Sequence, residues 1–83
     1  MKRSLTFDDF IALSYLEQGG STATHHVART LGYDRVHGYS ATRKARTLLR
    51  RLERWGFVAG VRTPSGGNVY WYQITETGRE ALV

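Results

Sequence analysis

Wound as a helix at about 3.6 residues per turn, residues 40–55 (SATRKARTLLRRLERW) split into an apolar side and a basic side. Ala41, Ala45, Leu48, Leu49, Leu52 and Trp55 share the first side. Arg43, Arg46, Thr47, Arg50 and Arg54 share the second, with Lys44 and Arg51 on a flank. A helix of this kind must press its apolar side into a core. Its basic side must face water or a polyanion. The rest of the chain has to supply that core without covering the charges.

The segment holds six basic residues and one acid, and the other six Lys/Arg are cancelled by six Asp/Glu. The whole net charge of +5 therefore lies on one helix. A directed basic surface is suited to a phosphate backbone. Arg outnumbers Lys five to one here, and Arg is suited to forked recognition of phosphate and guanine. Arg43 and Lys44 also stand in the first turn, where the helix dipole favours acids by about 0.3–1 kcal/mol. A local rule broken without visible compensation points to function.

Eighty-three residues make one domain, spanning 1–83. The 41% hydrophobic content is enough for one small core. There is no cysteine, which excludes a disulfide framework, a thiolate metal site and a Cys nucleophile. A reducing, cytoplasmic setting is the default. Asp8 and Asp9 interrupt any apolar stretch after the basic start, and no apolar run approaches the ~20 residues that span a bilayer.

Thr6-Phe7-Asp8-Asp9 fits a capping box, with Leu5 and Phe10 placed as a hydrophobic staple. Phe7, Phe10, Ile11, Ala12, Leu13 and Leu16 continue a helical period up to Gly19-Gly20. Ser21, Thr22 and Thr24 offer N-caps for a second helix of about ten residues, with Val27, Ala28 and Leu31 as its apolar face and Gly32 as its stop. Residues 33–39 read as a polar connection. Ser40 is expected to cap the basic helix, which ends at Gly56. The period then changes to about 2. Residues 57–63 and 69–74 read as strands around the turn cluster 64–68. Tyr70, Tyr72 and Ile74 share one face of the second strand, and Val69, Trp71 and Gln73 the other. Thr75 caps a last short helix over 76–82.

The order is helix, helix, helix, hairpin, helix. A two-stranded hairpin is not stable alone, so it must lean on the helices with its tip projecting. The expected fold is α+β, mainly α: a winged helix-turn-helix with a three-helix core, a β-hairpin wing and a short C-terminal helix.

Two motifs carry a family resemblance. Leu49-x-x-Leu52-x-x-x-Gly56-Phe57-Val58 resembles the end of the recognition helix and the start of the first wing strand in winged-helix regulators. Tyr72-x-Ile74-Thr75-x-x-Gly78-Arg79-x-Ala81-Leu82 is similar to the wing exit and following helix of MarR-like and PadR-like transcription regulators. With Val27-Ala28-x-x-Leu31-Gly32, the resemblance covers roughly residues 6–82.

The resemblance implies that the third helix lies in the major groove of duplex DNA and reads bases from its N-terminal half. Thr42, Arg43, Arg46, Thr47 and Arg50 are the side chains for that role. Arg43 or Arg46 suits guanine, and Thr47 a thymine methyl. Arg50, Arg51 and Arg54 suit phosphates, and Ser40 and Lys44 complete the set on this helix. Thr22, Thr24 and His25 at the start of the second helix suit a phosphate. On the wing, Arg62, Thr63, Ser65 and Asn68 suit the minor groove or the backbone. The plainer readings stand beside these. Thr22 and Thr24 can serve as caps alone, Lys44 and Arg51 can shield core edges or pair with acids such as Glu53 or Asp34, and Arg79 reads as solvated surface.

His25, His26 and His37 do not make a metal site, because adjacent helical side chains diverge by about 100° and no carboxylate is spaced to help. No phosphate loop, nucleophile elbow or His/Asp/Ser set appears, so no cofactor, no small-molecule substrate and no enzymatic activity are expected. Trp55 reads as core. Trp71 reads either as packed or as a self-association patch. The expected function is sequence-specific binding of double-stranded DNA by a transcription regulator. A homodimer on an inverted repeat would supply the affinity that one short site lacks. A protein-interaction adaptor built on the same fold is the alternative, and RNA binding is a weaker third.

Overall fold

The structure, a computed structural model, describes residues 5–19, 22–62 and 70–82. Helix α1 (Phe7–Gly19) is followed by a two-residue strand β1 (Thr22–Ala23) and helix α2 (Thr24–Thr30). A single turn α3 (Tyr33–Val36) and a 3₁₀ turn (Gly38–Ser40) lead into α4 (Ala41–Arg54). Strands β2 (Val58–Arg62) and β3 (Tyr70–Ile74) form the hairpin, and α5 (Glu76–Ala81) closes the chain. This is the winged helix-turn-helix arrangement expected from the sequence.

The capping box forms as read. The Asp9 N–H donates to Thr6 Oγ1 and the Thr6 N–H to Asp9 Oδ2, each at 3.1 Å. The buried face of α1, however, is Asp9, Ala12, Leu13 and Leu16. Their spacing of three and four residues makes one stripe, and that stripe leaves Phe7 on the outer side, 78% exposed. Phe10, expected to staple onto Leu5, is 47% exposed, while Leu5 packs against the core.

The second helix is shorter than expected and is not capped by a hydroxyl. Its N-cap is Ala23, in extended conformation, with no side-chain cap bond. The physical reason is strand pairing. Thr22 and Ala23 lie antiparallel to Tyr72 and Trp71 of β3, so this backbone joins the sheet instead of turning early into helix. The sheet order is β1-β3-β2.

The connection of residues 33–39 is also more ordered than the sequence reading had it. Tyr33 OH donates to Asp8 Oδ2 at 2.8 Å and so ties α3 to α1. The 3₁₀ turn runs directly into α4. Ser40 therefore has helical dihedrals (φ −86°, ψ −2°) and makes no side-chain cap, which corrects its expected capping role.

Helix α4 ends in a Schellman motif. Gly56, at φ +83°, donates its N–H to the Glu53 carbonyl at 2.9 Å, and Phe57 N–H bonds the Leu52 carbonyl at 2.9 Å. The left-handed turn explains the glycine. In the hairpin, Val58 pairs with Ile74 and Gly60 with Tyr72. Val58, Tyr72 and Ile74 are buried, while Val61 on the other face is 54% exposed. Trp71 on that outer face is half-buried, as is Trp55 where it packs against the core.

Thr75 caps α5 as read, accepting from the Gly78 N–H at 3.1 Å. Its N–H donates to the Phe57 carbonyl at 3.0 Å. Gly78 is required by close approach: a Cβ there would lie 2.1 Å from Phe57 O. Ala12, Leu13 and Leu16 of α1, Val27 and Ala28 of α2, and Ala41, Ala45, Leu48, Leu49 and Leu52 of α4 meet Val58, Tyr72 and Ile74 in one buried cluster. Its position leaves the opposite side of α4 open.

Candidate nucleic-acid interface

The apolar side of α4 is buried residue by residue as its period requires: Ala41, Ala45, Leu48, Leu49 and Leu52. The opposite side faces outward. Ser40, Arg43, Lys44, Arg46, Thr47, Arg50 and Arg54 are exposed, and Thr42 is half-buried at the edge. No acid stands in the first turn. The one acid of the helix, Glu53, accepts the Gly60 N–H at 3.1 Å and so leans toward β2. Thr47 donates its hydroxyl to the Arg43 carbonyl at 3.0 Å, a bond made within the helix.

Arg51 follows the plainer of its two readings, as a flank residue paired with an acid. Its Nη2 is ion-paired with Oδ1 of Asp9, whose side chain is 0% exposed. The guanidinium also lies 5.5 Å from the Trp55 ring centroid. Asp9 is buried as the third helical residue of the capping box, and a buried carboxylate needs a partner. The flank position of Arg51 brings one within reach. Arg51 is thus a packing and pairing residue, not one of the outward row. Its partner comes from α1, not from the Glu53 or Asp34 named as alternatives. Among the described residues this is the sole ion pair. Arg43, Lys44, Arg46, Arg50 and Arg54 carry none.

The start of α2 is less open than expected. Thr22 and Thr24 are buried, at 6% and 7% exposure; Thr22 pairs with Tyr72 in the sheet, and Thr24 opens α2 directly after it. Both therefore present little surface to a ligand. His25 is exposed. Its ring centroid lies 4.1 Å from that of His26, so the two rings do not diverge as the helical angle suggested. Among the described residues, no three His, Cys, Asp or Glu side chains gather where an ion could be held. On the wing, Arg62 is described by its backbone, paired with Tyr70 at the end of β2. Thr63, Ser65 and Asn68 lie outside the described residues.

Two side chains of the 33–40 connection are strongly exposed. Val36 is 76% exposed and Tyr39 is 109% exposed. The signal for Tyr39 was available: it precedes Arg43 by four residues and Arg46 by seven, which is helical spacing. Tyr33, by contrast, is drawn inward. Burial first, then its bond to Asp8, pushes its phenol up from 10.0 to about 12. No helix among the described residues is long and apolar enough to cross a membrane.

No protein-family model matches the chain, and no curated protein matches its sequence significantly. Solved structures do match its shape. BpsR of Bordetella bronchiseptica, whose DNA binding is regulated by 6-hydroxynicotinic acid, superposes with a TM-score of 0.77 at 20% identity, covering 94% of this chain and 54% of that one. ZitR of Lactococcus lactis, a zinc-responsive MarR family member, superposes with a TM-score of 0.77 at 15% identity, covering 99% and 51%. The chain spans about half the length of each of these structures. The fold is the winged helix found in MarR-type regulators.

Proposed function

We propose that residues 1–83 form a sequence-specific binding domain for double-stranded DNA that acts in transcription regulation in the cytoplasm. Helix α4 enters the major groove and the β2–β3 hairpin serves as the wing. The observation that carries this reading is the outer face of α4, where five cations stand exposed and without a carboxylate partner among the described residues. A stability role for such a row is unconvincing. Like charges at helical spacing destabilise slightly, and the two in the first turn oppose the helix dipole. A duplex relieves both effects. The likeness to BpsR, a protein with regulated DNA binding, supports the same reading.

Arg43 and Arg46 near the N-terminal end are assigned to base edges, together with Thr42 and Thr47. Ser40 and Lys44 flank them. Arg50 and Arg54 are assigned to phosphates, and His25 to the phosphate side. The wing residues Arg62, Thr63, Ser65 and Asn68 are assigned to the adjacent backbone or minor groove. Exposed Phe7 and Phe10 on α1 support a homodimer joined through that helix, which would place two α4 helices on an inverted repeat. Light scattering of the wild-type and of a Phe7→Ser/Phe10→Ser variant tests the pairing.

The test of the function is selection of bound duplexes from a random pool, followed by titration at several salt concentrations. If about five phosphates are neutralised, log Kd should change with log salt with a slope of magnitude about 4.5. A flat salt response would remove the reading.

A further inference from the structure

We infer that Tyr39 is a base-reading residue whose ring packs on the C5-methyl of a thymine, beside the bases met by the first turn of α4. This rests on the proposed function and adds a specificity determinant to it. Among the described residues Tyr39 is the most exposed large apolar side chain, at 109%. It belongs to the 3₁₀ turn that runs into α4 with helical dihedrals at Ser40 and at Ala41 (φ −55°, ψ −50°). Right-handed winding therefore begins in this turn, one residue before α4 proper. Spacings of four, seven and eleven residues set it near the line of Arg43, Arg46 and Arg50, offset by the tighter 3₁₀ winding.

The backbone segment that carries it is anchored. Helix-turn-helix connections usually take about 3–4 residues. Here α3 and the 3₁₀ turn occupy the connection from Tyr33 to Ser40. Tyr33 anchors that insertion through its hydroxyl on Asp8 at 2.8 Å and its edge-on contact with His37, centroids 5.1 Å apart. A fixed presentation lowers the ordering cost of binding. The insertion also carries Val36, 76% exposed, so the head of the basic row ends in apolar surface, not in further charge.

The chemistry selects the occupant. Charge along Arg43, Arg46 and Arg50 draws the row onto a polyanion. Within a duplex major groove the apolar feature on a base edge is the thymine methyl. A ring at the end of the row has no exposed base face to stack on, since duplex bases remain stacked.

The test uses the selected duplex, with each thymine replaced in turn by deoxyuridine, which lacks the methyl. For the wild-type, at least one position at the end contacted by the start of α4 should weaken binding about fourfold, which is roughly 0.8 kcal/mol for one methyl-sized group. Tyr39→Ala should bind the unmodified duplex about tenfold more weakly and show no further loss at that position. Tyr39→Phe should keep both the affinity and the methyl preference. The thermal midpoint of Tyr39→Ala should match the wild-type, because the side chain packs on nothing. A flat deoxyuridine series, an unchanged affinity for Tyr39→Ala, or a methyl preference that survives in Tyr39→Ala each overturns the assignment while leaving DNA binding intact. Absence of any duplex binding by the wild-type overturns the function itself.

Discussion

Arg51→Ala and Asp9→Ala cut one ion pair from opposite ends, and the two cuts leave different orphans. The Asp9 side chain is 0% exposed and that of Arg51 is 40% exposed. Removing Arg51 seals a carboxylate inside the core, with the Thr6 N–H as its remaining hydrogen-bond donor among the described residues. Leaving a buried charge uncompensated costs about 3–5 kcal/mol. Removing Asp9 instead frees a guanidinium that can turn to water. The loss is then the reciprocal bond from the Thr6 N–H, ~1 kcal/mol, and a half-exposed pair, ~1 kcal/mol. Arg51→Ala should therefore be the more damaging by about 1–3 kcal/mol. For a chain of this length, that is a separation of about 4–8 °C in thermal midpoint per kcal/mol. Asp9→Leu/Arg51→Met, which removes both charges, should recover much of the loss. Urea and thermal melts followed by circular dichroism measure all three. At a temperature where Arg51→Ala remains folded, its duplex affinity should equal that of the wild-type within about twofold. If Asp9→Ala proves the costlier change, or if Arg51→Ala stays stable but loses DNA, the assignment of Arg51 to packing is wrong.

Arg46→Ala should behave in the opposite way: unchanged melting, with binding weakened by about 1–3 kcal/mol and specificity relaxed at one position, read by competition titration. Gly78→Ala should destabilise by about 3 kcal/mol or more, since the new Cβ would meet Phe57 O at 2.1 Å and Ile74 Cγ1 at 2.7 Å. A melt within about 0.5 kcal/mol of the wild-type would contradict that packing. Tyr33 holds its proton more tightly folded than unfolded, with its phenol pushed from 10.0 to about 12. Its contribution is thus complete below pH 10 and is lost as pH rises through about 12. Tyrosinate absorbance should show one late-titrating phenol that is absent in Tyr33→Phe.

What the sequence revealed and what it concealed divide by distance along the chain. The Thr6/Asp9 box, the turn at Gly56 and the cap at Thr75 are each made within about five residues, and all formed as read. The amphipathic split of α4 was equally local. Strand β1 was concealed because its reason lies on Trp71 and Tyr72, some fifty residues away, while Thr22 and Thr24 carry strong local signals for capping. The pairing of Arg51 with Asp9 spans 42 residues and has no local signature. It took one of the six basic side chains of α4 off the candidate surface. On α1 the period included Phe7 and Phe10, but the stripe that meets the core is Asp9, Ala12, Leu13 and Leu16, and which side of the helix that is depends on contacts distant in the chain. Tyr39 was legible in principle, since its spacing from Arg43 and Arg46 is as regular as any on the helix, but Gly38 beside it reads as a break.

The most direct test of the basic face is a titration of the isotope-labelled protein with the selected duplex, following the arginine side-chain Nε–H resonances by NMR. The signals of Arg43, Arg46, Arg50 and Arg54 should shift in proportion to bound DNA, while Arg51 holds its position against Asp9. Movement of Arg51 with the other four unmoved would mean that the duplex meets some other part of the molecule.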